Sequence, residues 1–174
     1  LFWITKGEKM NFSKSKYCLY CQCPKILWLN KYKPEELKQD SSAEERFEKG
    51  NIVGDLAMQL FGNFTEVTAY DKDGKLDLSK MIENTNECLK NGTENICEAS
   101  FSSGGLFCSC DILRKEKDGY AIYEVKSSTH VSAVYITDIT YQKYVLEKCG
   151  IKVTGTYIVH INTDYVFDGK LDVQ

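Results

Sequence analysis

Three runs of period-two hydrophobicity, each closed by a turn signal, constrain this chain more than any other feature. "ICEASF" reads as a strand, "SSGG" as its turn and "LFCSCDILR" as the returning strand. "KEKDG" turns the chain again into "YAIYEVKSS". Side chains alternate faces along a strand, so Tyr120, Ile122, Glu124 and Lys126 point the same way. With "EKDG" as a hairpin loop, Lys115 falls opposite Tyr120, Leu113 opposite Ile122 and Asp111 opposite Glu124. Directly opposed residues have Cβ atoms roughly 4.5–5.5 Å apart. Two carboxylates that close repel unless a cation lies between them. A hard divalent ion such as Mg²⁺ or Mn²⁺, which prefers oxygen ligands, would relieve that repulsion. Lys126 beside it would polarise an attacking water or stabilise charge developing on a phosphate. The same residues also read as an exposed sheet face carrying ion pairs worth under about 1 kcal/mol each. Spacing alone leaves both readings open.

The rest of the chain reads as helices and one further strand. "FSKSKYCLYCQCPKILWLNKYKPEEL" opens with Ser13 as an N-cap and holds one or two short helices, interrupted near Cys23-Pro24. Ser42 with Glu45 forms a capping box before an apolar face of Phe47, Val53, Leu56, Ala57 and Leu60, and Gly62 stops that helix. "LSKMIENTNECLKNG" is a helix ending at Gly92. A helical pattern resumes from about Ser132 to Lys148, closed by Gly150, and "KVTGTYIVHIN" is the last strand. The final strand–helix–strand unit predicts a right-handed crossover.

At 174 residues the chain suits one domain, and 43% hydrophobic with 27% charged residues is ordinary for a globular protein. No apolar run approaches the 18–20 residues of a membrane span, and "LFWITKGEKM" lacks the h-region of a signal peptide. Residues 1–11 read as a tag remnant or disordered start, with Met10 a candidate natural start, and residues 12–174 as a single domain. The net charge is −3, but residues 1–40 carry eight lysines against Glu8, Glu35, Glu36 and Asp40, giving +4 and leaving −7 for the remainder. A basic segment on an acidic body can contact phosphates. Eight cysteines without a secretory signal point to a reduced, cytoplasmic protein. Cys108 and Cys110 fall in phase with Leu106 and Ile112 as small buried hydrophobes. "CLYCQC" lacks the paired spacing and fourth ligand of a zinc site.

"CDIL", a short turn, "YEVKSST" and a helix carrying Gln142 together resemble the PD-(D/E)XK nuclease superfamily in its RecB-like branch. "SKSKYCLYCQCPKILWLNKYKP", "FEKGNIVGDLAMQLFG", "YEVKSSTHV" and "VHINTDYV" are similar to an uncharacterised bacterial domain family related to the RecB-type exonucleases of CRISPR adaptation. The resemblance implies an α/β, restriction-endonuclease-like core: a mixed sheet of about four to five strands flanked by helices, after an N-terminal helical segment. It implies Asp111, Glu124, Lys126 and Gln142 as catalytic residues, with Asp111, Glu124, the Val125 carbonyl and Glu98 as ligands of Mg²⁺ or Mn²⁺. Glu48, on the first long helix, and Tyr144, two residues past Gln142, are weaker matches. Leu146 stands where the family places a tyrosine, and Gly54 lies on the helix where relatives carry a metal-binding histidine; neither His130 nor His160 is on that helix. Cys23 matches one ligand of an iron–sulfur cluster whose other cysteines would lie beyond Gln174, so the chain reads as the N-terminal fragment of a longer protein. The implied function is metal-dependent hydrolysis of DNA phosphodiester bonds, with exonuclease action on single-stranded or frayed ends. The alternative is a weakly active or inactive nuclease-fold module that binds nucleic acid or a protein partner.

Overall fold

Helix boundaries follow local side-chain chemistry. The computed structural model describes residues 12–36, 43–166 and 168–169. A two-residue strand, β1 (Phe12–Ser13), leads into α1 (Lys14–Gln22). The Ser13 hydroxyl caps α1 by accepting the Lys16 N–H at 3.4 Å. Cys23 interrupts the helix, and Pro24, lacking an N–H to satisfy, opens α2 (Pro24–Tyr32). After a 3₁₀ turn (Pro34–Glu36), α3 (Ala43–Ala57) passes into a second 3₁₀ turn (Met58–Phe61) and stops at Gly62, whose φ is +81°. Ser42, the expected cap of α3, lies outside the described residues, and Glu45 accepts from Lys49 at 2.7 Å instead. A short β2 (Thr65–Glu66) precedes α4 (Leu78–Asn91). Asp77 caps α4 by accepting the Lys80 N–H at 3.0 Å, and Gly92 ends it in the left-handed region at φ +71°.

The alternating runs form β3 (Asn95–Ser103), β4 (Leu106–Glu116) and β5 (Gly119–Lys126), an antiparallel meander. β3 extends through Ser103, so its turn is the Gly104-Gly105 pair alone, with φ of +57° and +78° as a tight hairpin needs. The expected register of β4 with β5 is present: Leu113 opposite Ile122 and Lys115 opposite Tyr120. Gly119 is required at the second turn, because a Cβ there would come 2.3 Å from the Lys152 carbonyl oxygen. α5 (Ala133–Lys148), capped by Ser132, then carries the chain to β6 (Val153–His160), which lies parallel to β5 as a crossover demands. The fold is α/β: a mixed six-stranded sheet in the order β2-β3-β4-β5-β6, with β1 added beside β4.

The placement of β1 matters for the site. β3 pairs along β4 from Leu106 to Arg114, whereas β5 pairs with β4 only from Ile112 onward. β1 pairs in parallel with Leu106 and Phe107, on the edge that β5 leaves free. β1 and β5 thus share one edge of β4, separated by a gap, and Lys14 follows β1 at that gap.

The core packs Ile96, Ala99, Phe101, Cys108, Cys110, Leu113 and Ile122 against Ile139, Tyr141, Val145 and Leu146 of α5. Cys108 and Cys110 are fully buried, as expected, but Leu113 rather than Ile112 joins their cluster. A three-residue step also separates Ile96 from Ala99 on β3. Strict alternation permits only even steps on one face, so both strands change phase, β3 around Glu98 and β4 around Asp111. Glu98 has φ +58°, the one positive-φ residue other than glycine among the described residues. For a residue with a Cβ this conformation costs about 1–2 kcal/mol.

Candidate active site

Three acids stand in line across three strands. In the β3–β4 register Glu98 falls opposite Asp111, and in the β4–β5 register Asp111 falls opposite Glu124, although neither pair belongs to the regular ladder. There the Asp111 carboxylate replaces a backbone partner, its Oδ2 accepting the Val125 N–H at 2.6 Å. These acids open onto a cleft of about 880 Å³, lined also by Lys14, Glu66 and Lys126. α3 forms another wall through Gly50 and Gly54. A Cβ at Gly54 would meet nothing within 4 Å, so the expected histidine position is an open stretch of wall.

Glu124 is the centre of the polar network, with its side chain 1% exposed. Its Oε1 accepts from Lys126 Nζ at 2.5 Å and from Lys14 Nζ at 3.0 Å. Its Oε2 accepts from Gln142 Nε2 at 2.6 Å. Asp138 completes the group, taking Lys126 at 2.9 Å, Gln142 at 3.1 Å and Lys14 at 3.4 Å. The Gln142 amide is turned so that its nitrogen serves two carboxylates, and its buried Oε1 has no partner. The alternative orientation would set that oxygen against two acids.

Burial, and next the charge of Asp111, push Glu98 up to about 7. Burial followed by Asp111 also pushes Glu124 up to about 7, against the pull of Lys14 and Lys126. For Lys14, burial opposes the charged form, but Glu124, Asp111 and Asp138 outweigh it and hold the ammonium above its ordinary range. Lys126 is raised in the same way: burial is overcome by Glu124 and Asp138. Asp138 is lowered, because Lys14 and Lys126 together exceed its own desolvation.

The structure therefore brings together Asp111, Glu124, Lys126, Gln142, Glu98 and Val125, the last lining the cleft beside its N–H bond to Asp111. Glu48 is exposed on α3 and does not line the cleft. Tyr144 is 50% exposed, with the Lys148 ammonium 5.3 Å from its ring centroid, and Leu146 is buried in the core. Cys23 lies at the α1–α2 junction, and all eight cysteines are free. Burial first of all pushes the Cys97 thiol up to about 12 and Cys110 well above its ordinary value, so these two stay protonated.

Sequence reasoning missed Lys14 and Asp138. Asp138 stands four residues before Gln142, one helical turn away on the same face, and that spacing could have revealed it. Lys14 carried no such signal.

The donors facing the cleft are carboxylate oxygens held against mutual repulsion, which suits a hard divalent ion. Among the described residues no group of three His, Cys, Asp or Glu is drawn together as a metal cage. The Lys14 ammonium instead lies between Glu124 and Asp138, 3.0 Å from one and 3.4 Å from the other. Compared with known protein families, curated proteins and solved structures, the chain matches none. Among the described residues no helix is long and apolar enough to cross a membrane.

Proposed function

We propose that the chain carries a metal-dependent nuclease site that hydrolyses DNA phosphodiester bonds. One observation carries this reading: Glu98, Asp111 and Glu124 converge with Lys126 on a single cleft. Glu98 and Asp111 would hold Mg²⁺ or Mn²⁺ together with Glu124 and the Val125 carbonyl. The bound ion supplies Lewis acidity and a more acidic water. Lys126, anchored by Glu124 and Asp138, keeps a fixed positive charge where a phosphate oxygen would gain negative charge. Gln142 fixes the Glu124 carboxylate from behind. Lys16 of α1 and Lys25 and Lys31 of α2 offer phosphate contacts that would hold a strand without reading its sequence.

A second reading, a nucleic-acid-binding module with little or no activity, is favoured by the pairing of both Glu124 oxygens with this chain's own donors. End-labelled single-stranded DNA incubated with Mn²⁺ separates the two. Under the nuclease reading the wild type cuts, and Asp111→Asn and Lys126→Ala each lose about 10²–10³-fold in rate. Binding without metal-dependent cutting by the wild type refutes it in favour of the binding module.

A further inference from the structure

Among the described residues before α3, Lys14 is the one that lines the cleft, reaching the acids through the gap between β1 and β5. Its side chain is 22% exposed, and its Nζ lies 3.0 Å from Glu124 and 3.4 Å from Asp138. On Glu124, Lys14 and Lys126 fill both acceptor positions of Oε1 and both line the cleft, whereas Oε2 takes a single bond from Gln142, which does not line it. A divalent ion that takes Oε1 as a ligand from the cleft must therefore take over a position now held by one of the two lysines. Gln142 is fully buried and pinned between two carboxylates. Lys126 belongs to the same strand as Glu124, two residues on, and has the shorter contacts to both acids. Lys14 has the longer contacts and is tethered through a strand of only two residues. It is the donor most easily displaced.

We infer that Lys14 is a built-in competitor of the divalent cation: its ammonium neutralises the acid pocket in the empty protein and leaves Glu124 when the ion binds. The inference rests on the cation-site reading above. It makes ion binding an exchange of one cation for another, coupled to β1 and the start of α1.

Calorimetric titration with Mn²⁺ alone, in the absence of DNA, tests it. Lys14→Gln is expected to bind Mn²⁺ about tenfold more tightly than the wild type, equivalent to 1.4 kcal/mol. Lys14→Arg, which retains the charge, shows no such gain, and Asp111→Asn loses binding. Equal or weaker affinity in a folded Lys14→Gln overturns the inference. A second measurement needs no variant: acetylation of amines in the wild type, read by mass spectrometry. Saturating Mn²⁺ is expected to speed labelling of Lys14 several-fold relative to Lys126, and an unchanged ratio overturns the inference. If the wild type binds Mn²⁺ through Asp111 and Lys14→Gln gains nothing, competition fails while the cation site stands. If neither protein binds Mn²⁺, both fall.

Discussion

Glu98 is an acid that the fold holds at a disadvantage, and replacing it with glutamine isolates that disadvantage. Gln has nearly the same shape and the same backbone cost at φ +58°, so the substitution removes the charge and little else. The unfolded chain titrates Glu98 near 4.5, whereas burial and Asp111 push it up to about 7 in the folded protein. A carboxyl whose pKa rises on folding costs nothing below its unfolded pKa, where both states are protonated. Its penalty grows as pH rises and is complete above the folded pKa. At 1.36 kcal/mol per unit the penalty is about 3 kcal/mol at pH 8 and about 1 kcal/mol at pH 5. Glu98→Gln should therefore raise stability by about 3 kcal/mol at pH 8, or roughly 6–12 °C in Tm for a chain of this size. At pH 5 most of that gain should be gone. Urea unfolding of both proteins at the two pH values, with EDTA present, measures this directly, with equal m-values licensing the comparison. Glu124 titrates in the same window in both proteins and so contributes little to the difference. A wild type and a Glu98→Gln variant with the same pH dependence between 5 and 8 would refute the electrostatic account.

Gln142→Leu keeps the volume of a fully buried side chain but strands Glu124 Oε2 and leaves Asp138 Oδ1 with only its longer contact to Lys14 at 3.4 Å. A loss of about 3 kcal/mol in urea unfolding is expected, and a loss under about 1 kcal/mol would show that the amide is not needed. Gly119→Ala places a methyl group against the Lys152 carbonyl, which also accepts the Tyr120 N–H at 2.9 Å. Relieving that clash should cost about 1–3 kcal/mol, read as a lower Tm.

The parts of this fold that were legible in the sequence are those set by local chemistry. The "EKDG" hairpin between β4 and β5 was legible and the register followed from it, although the turn itself is only Lys117-Asp118, with Glu116 and Gly119 already paired. Ser13, Gly62 and Gly92 marked helix ends because each does there what its side chain, or lack of one, allows. The phase change near Glu98 and Asp111 was not legible. Nothing in "ICEASF" or "LFCSCDIL" announces that alternation fails in mid-strand, and glutamate is not a residue expected at positive φ. That is why Ile112 looked like the partner of Cys110 when Leu113 holds the place. The acids themselves were found because the β4–β5 turn aligned Asp111 with Glu124. Lys14 could not be found so, since a two-residue strand is too short to show a pattern and its pairing partner lies more than ninety residues away.

That remote pairing carries a loop-closure cost that the local hairpins do not. The β3–β4–β5 meander closes through tight turns, its strands pairing with their neighbours in sequence. β1 can dock only after the Leu106 end of β4 exists as a template, although it precedes β4 by about ninety residues. The acid row would thus be drawn together first, with its charges unrelieved, and the lysine that quiets it would arrive last. A folding intermediate with β1 undocked would carry the same carboxylates as the native protein but without their resident counter-charge, open to whatever cations the solvent supplies.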